Sequence, residues 1–136
     1  MKTMLELNML ESIIFSRLKA EFSPKIKAKY KDLNFTTQEE SKVKPKFPNV
    51  YVYLMPGTET GLTLERTAFE EGIFTFQIRV TNNTGQTAVQ EITNEIIKRM
   101  KKMSFEIVAT PVYENDADTQ WSVMRFRRTI GRNDVL

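Results

Sequence analysis

The chemistry open to this chain rests on carboxylates, arginines and aromatic rings, because it contains neither histidine nor cysteine. Without His, the commonest general base and the commonest zinc ligand are gone. Without Cys there is no disulfide, thiolate nucleophile or cysteine metal site. The acids left in pairs are Glu39-Glu40, Glu70-Glu71 and Asp116/Asp118. Neighbours on an extended chain point to opposite faces, so the first two are poor partners for shared acid–base work. Glu114, Asp116 and Asp118 have the alternate spacing of a loose cation loop. The central glycine and terminal glutamate that a calcium loop needs are missing there. Gly57-Thr-Glu-Thr-Gly61 has the glycines of a phosphate loop, but no Lys-Ser/Thr follows. No Ser or Thr has a recognisable activating base. These residues predict a protein that is not an enzyme, with no catalytic, metal or cofactor site.

The remaining chemistry is recognition by charge and shape. The stretch Trp121-Ser-Val-Met-Arg-Phe-Arg-Arg-Thr-Ile-Gly-Arg-Asn-Asp134 alternates like a half-buried strand. Met124, Phe126 and Ile130 fall on one side, Arg125, Arg127 and Thr129 on the other, and Arg128 interrupts the apolar side. Arginine's planar fork suits carboxylates and phosphates equally well. Net charge is +3, distributed as +4 over residues 1–48, −4 over 49–118 and +3 over 119–136. An acidic middle between basic ends favours contact between copies of one chain. Tyr51, Tyr53 and Trp121, interleaved with arginines, are also the residue types that stack bases and follow phosphates. No recognised RNA-binding motif accompanies them.

These residues need a scaffold, and 136 residues with 40% hydrophobic content are enough for one globular domain. The first helix is expected from about Leu5 to Glu21, where Leu10, Ile13, Ile14 and Leu18 form an apolar stripe. Thr3 with Glu6, or Asn8 with Glu11, has the spacing of a capping box, and Ser23-Pro24 ends the helix. Lys25, Lys27, Lys29 and Lys31 alternate with Ile26, Ala28 and Tyr30, which reads as an edge strand or a mobile basic arm. Asn34 to Thr37 can add a short strand. Val50, Val52 and Leu54 oppose Tyr51, Tyr53 and Met55 in a strand apolar on both sides, expected to be central or to meet another subunit. Pro56 to Glu71 reads as a long loop. Phe74, Phe76, Ile78 and Val80 mark the clearest strand. The turn Asn82-Asn83-Thr84-Gly85 leads into a second helix, Gln86 to Met103, whose last turns collect Lys98, Arg99, Lys101 and Lys102. A strand from Phe105, an acidic turn between Tyr113 and Thr119, and the arginine strand complete the chain. The predicted fold is a single α+β domain over residues 1–136, a largely antiparallel or mixed sheet with two helices packed on one face. No apolar run reaches the ~20 residues of a membrane span. The N-terminus lacks the continuous apolar run of a signal peptide, so the expected location before assembly is cytoplasmic.

Phe47-Pro-Asn-Val-Tyr-Val-Tyr-Leu-Met-Pro-Gly57, Leu64-Glu65, Phe76-Gln-Ile-Arg-Val80 and Arg127-Arg-Thr-Ile-Gly-Arg-Asn-Asp134, in this order and spacing, resemble the tail terminator proteins of long-tailed bacteriophages. The resemblance covers about residues 47 to 134; Arg132 stands where a small residue is expected, and residues 25–46 match none of it. It implies a structural subunit forming a ring, a homohexamer, that caps the tail tube, stops its polymerisation and joins tail to head. The implied partners are further copies of the chain, the major tail tube protein and the head completion or stopper protein. DNA enters only as passing cargo, and no membrane is involved. The implied location is the tail–head junction of the virion, with host cytoplasm before assembly. Another head–tail neck connector, or a small basic nucleic-acid-binding module, is the alternative. The residues expected at a subunit or tube interface are Tyr51, Tyr53, Glu59, Glu65, Glu70, Glu71, Arg125, Arg127, Arg128 and Arg132. The arginines are expected to meet the acidic residues of a neighbouring copy rather than DNA, because phosphates held in the ring would slow DNA exit.

Overall fold

The structure is a computed structural model in which residues 7–37, 47–55, 58–62, 69–116 and 118–131 are described. The chain runs α1 (Leu7–Glu21), α2 (Pro24–Lys29), β1 (Asn34–Thr36), β2 (Asn49–Leu54), β3 (Thr58–Leu62), β4 (Phe69–Asn82), α3 (Gln86–Lys102), β5 (Glu106–Asn115) and β6 (Gln120–Gly131). The sheet order is β1-β2-β4-β6-β5, with β3 also paired to β4. Every pairing is antiparallel except β1 with β2. The fold is α+β, as the alternation of periods in the sequence predicts.

Strand β4 is the axis of the sheet, paired with β2 and β3 along one edge and with β6 along the other. Phe74, Phe76, Ile78 and Val80 are buried, and they pair across to Val50 and Val52 of β2 and to Met124 and Phe126 of β6. Leu10, Ile14 and Leu18 of α1 and Val89, Ile92, Ile96 and Met100 of α3 close over that side in one continuous core. Both long helices therefore cover the same face. The hydroxyls of Thr93 on α3 and Ser122 on β6 are buried there and bond to each other at 2.7 Å. Each satisfies the other, so neither carries the cost of an unpaired polar group.

Two elements differ from the sequence reading. The lysine-rich segment is neither strand nor basic arm: α2 runs Pro24–Lys29. The alternating lysines misled, because Ile26 and Tyr30 are four apart and both pack against the core, a helical spacing. Pro24 ends α1 and also starts α2, where its missing N–H costs nothing. The second difference is the long loop. Residues Thr58–Leu62 form β3, and β4 begins at Phe69, five residues before the expected apolar strand. β3 pairs with β4 from Thr58↔Ile73 to Leu62↔Phe69, and β2 with the same side of β4 from Leu54↔Phe76 to Asn49↔Thr81. Together they make one long hairpin with a one-residue register shift between its halves. Nothing in Thr58-Glu-Thr-Gly-Leu62 alternates in hydrophobicity, so backbone pairing without a side-chain pattern was invisible.

One of the two expected capping boxes, Asn8 with Glu11, does not form. Asn8 lies inside α1, and the Glu11 carboxylate accepts from the Leu54 N–H at 3.1 Å, tying helix to sheet. Thr3 and Glu6 lie outside the described residues. At the start of α3, Gly85 adopts φ +125°, a region that disfavours a side chain. Its N–H donates to Gln120 Oε1 at 2.8 Å, and its carbonyl accepts from Asn82 Nδ2 at 3.1 Å.

Helix α2 is tied to α3 through Glu91, which accepts from Lys29 Nζ at 2.9 Å and from Tyr30 Oη at 3.1 Å. The Lys29 hydrogen bond, partly opposed by burial, holds the Glu91 carboxyl below its ordinary value of 4.5. Burial first, and then the bond to Glu91, pushes the Tyr30 hydroxyl up. A carboxyl whose folded value is lowered stabilises the fold above its unfolded value, and that contribution is lost as pH falls through the folded one. Glu91→Gln is thus expected to flatten the acid side of the stability curve, below about pH 4.5, in urea midpoints measured against pH. The change should be small, because the Lys29 side chain is 57% exposed and solvent screens the pair.

Candidate functional site

The face of the sheet opposite the core carries no helix among the described residues. In a strand, alternate residues share a face, so the buried set on β2, β4 and β6 fixes the other set. Tyr51 and Tyr53 from β2, Thr75, Gln77 and Arg79 from β4, and Trp121, Val123, Arg125 and Arg127 from β6 lie on it, half-buried or exposed. The register places Tyr51 opposite Arg79 and Arg79 opposite Val123; Tyr53 faces Gln77, and Gln77 faces Arg125.

The aromatic and cationic groups interact in order across this surface. Tyr51 and Tyr53 stack with ring centroids 6.1 Å apart and planes 20° from parallel. The Arg79 guanidinium lies 4.5 Å from the centre of the Trp121 ring, within cation–π range. Arg125 Nε donates to Gln77 Oε1 at 3.1 Å. Arg127 donates through Nε and Nη2 to one oxygen of Glu106, its direct neighbour on β5, at 3.0 and 2.8 Å. That pair is exposed on both sides, and its contribution to stability is small.

Arg79 differs from its neighbours. Its Nε is shielded from solvent and has no hydrogen-bond partner, and the same is true of Thr36 Oγ1 on β1. Thr36 pairs with Tyr51, and Tyr51 with Arg79, so both unsatisfied groups belong to one row across the sheet. A buried donor left unpaired costs about 1–3 kcal/mol, and this row holds two of the three such side-chain atoms found among the described residues, the third being Gln86 Oε1.

The structure separates the residues expected at an interface. Tyr51, Tyr53, Arg125 and Arg127 share the helix-free face. Arg128 lies on the other face, opposite Phe74, and donates to the Met103 carbonyl at 2.8 Å, where α3 ends. It serves an orphan carbonyl at a helix C-terminus within its own chain. Glu59, Glu70 and Glu71 lie in β3 and the first residues of β4. Glu65 and Arg132 lie outside the described residues. Sequence reasoning missed Arg79, whose signal was its place two residues from Gln77 in an alternating strand, indistinguishable from an ordinary solvated position.

The sheet's free edge offers less. β5 exposes Val108 at 43% and Val112 at 54%, but Pro111 lacks an N–H and the pairing with β6 shifts register twice. Proline and irregular register blunt an edge against further strands. Glu114, Asp116 and Asp118 are exposed, and among the described residues no group of three or more acidic side chains is arranged to hold a metal ion. No helix among the described residues is long and apolar enough to cross a membrane. No protein-family model matches the chain, and no curated protein matches it.

Proposed function

We propose that this chain is a structural, non-catalytic subunit that forms a ring of identical copies at the head end of a bacteriophage tail. The ring caps the tail tube, ends its polymerisation and gives the head completion protein a docking surface. The reading rests on the ordered motifs between Phe47 and Asp134. The observation that carries it is the helix-free sheet face, where Tyr51, Tyr53, Trp121 and three arginines are only partly covered within one chain. Large aromatic rings and arginine are the residue types that concentrate binding energy at protein interfaces. A head-to-tail contact between unlike surfaces closes into a ring when its rotation permits. On this reading the protein acts in the virion at the tail–head junction and waits in the host cytoplasm before assembly.

Native mass measurement of the purified protein, alone and mixed with tail tubes, tests the proposal. The expected result is a hexamer alone, or one formed on the tube end and visible as a terminal ring. A chain that stays monomeric in both mixtures overturns it.

The same face favours a second reading, because aromatics interleaved with arginines also suit single-stranded nucleic acid. Against it, Arg127 is already paired with Glu106, and the two tyrosines stack on each other. A gel-shift assay at about 150 mM salt, near physiological ionic strength, decides between them. Tight sequence-independent binding that disappears on replacing Arg125 and Arg127 supports the nucleic-acid reading.

A further inference from the structure

We infer that the helix-free sheet face is the receptor for the acidic hairpin of a second copy, with Arg79 on its Trp121 platform as the central carboxylate-binding group. The inference rests on the ring reading and names the surfaces that would make it.

Three observations converge on this contact. The first is an arginine held in place without a carboxylate. Among the described residues Arg17, Arg99 and Arg127 each pair with a glutamate, whereas Arg79 has only the Trp121 ring, and its Nε is unsatisfied. Stacking on the indole pre-orients the guanidinium fork, so less side-chain freedom is lost when a carboxylate arrives. Arg125, diagonal to it across β4 and β6, is exposed and bonded only to the neutral Gln77 amide. The second is charge. Between Thr58 and Gly72 the chain carries Glu59, Glu65, Glu70 and Glu71 against the single cation Arg66. Within it, Thr58–Leu62 of β3 pairs with the start of β4, from Phe69 to Ile73. The third is placement. β4 carries the acidic hairpin at one end and Arg79 toward the other, in one continuous strand. Arg79 and Glu71 are eight residues apart in that strand, roughly 26 Å at about 3.3 Å per residue. A hairpin cannot fold back on its own rigid strand to reach Arg79, but the hairpin of a neighbour can. Donor and acceptor at opposite ends of one element are what a head-to-tail contact requires.

The apolar centre of the face, Tyr51, Val123 and Trp121, gives the contact a part that excludes water around Arg79. The arginine–carboxylate pairs set orientation and register. A nucleic-acid ligand is the less favoured occupant, because Glu106 and Glu114 share this side of β5 with the arginines.

A mixing experiment with the full chain tests the inference. One variant alters the face (Arg79→Glu) and another alters the hairpin (Glu70→Arg with Glu71→Arg). Each alone sets like charges against each other at every contact, and its association measured by sedimentation should weaken at least tenfold. Mixed in equal amounts, they can alternate round a ring so that every contact is again complementary, and assembly should recover. Circular dichroism checks folding, and Arg125→Glu, at an exposed position, serves as the face variant if Arg79→Glu does not fold. If the wild-type ring forms and both variants assemble as it does, or the mixture fails to recover, this inference is overturned and the ring reading stands. If the wild type forms no ring alone or on tubes, both fall. Single-stranded oligonucleotide binding that Arg79→Glu abolishes while association is unchanged also overturns the inference.

Discussion

Replacing Phe76 with Ala should lower stability by about 4 kcal/mol, the typical cost of removing a large aromatic side chain from a packed core. Phe76 is fully buried, lies opposite Phe126 on β6 and Leu54 on β2, and meets Phe105 edge-on with centroids 5.6 Å apart. Its neighbours belong to different elements, so they cannot all close inward to fill the space. Truncation then loses both the transfer free energy and the dispersion contacts of the lining atoms. The urea midpoint should fall at unchanged slope, and the melting temperature by roughly 10–15 °C. A loss under about 1 kcal/mol would mean that the site collapses and that β4 is not the centre of the core. The consequence reaches the helix-free face, because Thr75 and Gln77 flank Phe76 on the other side of the same strand.

The second large effect is expected at Glu95. Its side chain is only 7% exposed, bonds Arg99 Nε at 2.6 Å and accepts the Ser23 N–H at 2.9 Å. Glu95→Ala leaves a largely buried guanidinium without its counter-charge and the backbone between α1 and α2 without an acceptor. Breaking such a pair from one side costs about 3 kcal/mol. Changing Arg99 to Met as well should recover much of the loss, since the stranded charge is then gone and only the Ser23 donor remains unsatisfied. A thermodynamic cycle over the two positions measures this, with coupling above about 1 kcal/mol expected. Glu106→Ala provides the contrast: its ion pair with Arg127 is nearly as short, but both side chains are about half or more exposed. Its loss should stay below about 1 kcal/mol. Equal effects at the two sites would show that burial does not govern these pairs.

Much of the architecture was legible in local patterns. The stripes of α1 and α3, the alternation of β4 and β6, and the turn at Gly85 each repeat with the period of their element, and each element formed within a few residues of its expected bounds. Periodicity reports which side of an element is buried, and burial is what folds it. The absence of His and Cys was likewise a property of the sequence alone, and it removed whole classes of chemistry before any fold was known. The ordered motifs that resemble tail terminators were also read there, and they remain the ground for the proposed function.

Tertiary structure decided what periodicity does not encode. β3 pairs through its backbone and has no apolar alternation to announce it. Among the lysines, α2 formed because Ile26 and Tyr30 could reach a core made by other elements. Alternation already set Arg128 apart from Arg125 and Arg127, but only register brings Arg128 to the end of α3, Arg127 to Glu106 and Arg125 to Gln77. Arg79 gained its significance only when β6 brought Trp121 beneath it. A side chain's type and spacing determine which face it takes, but its partner comes from strands distant in sequence, and only their register brings the two together.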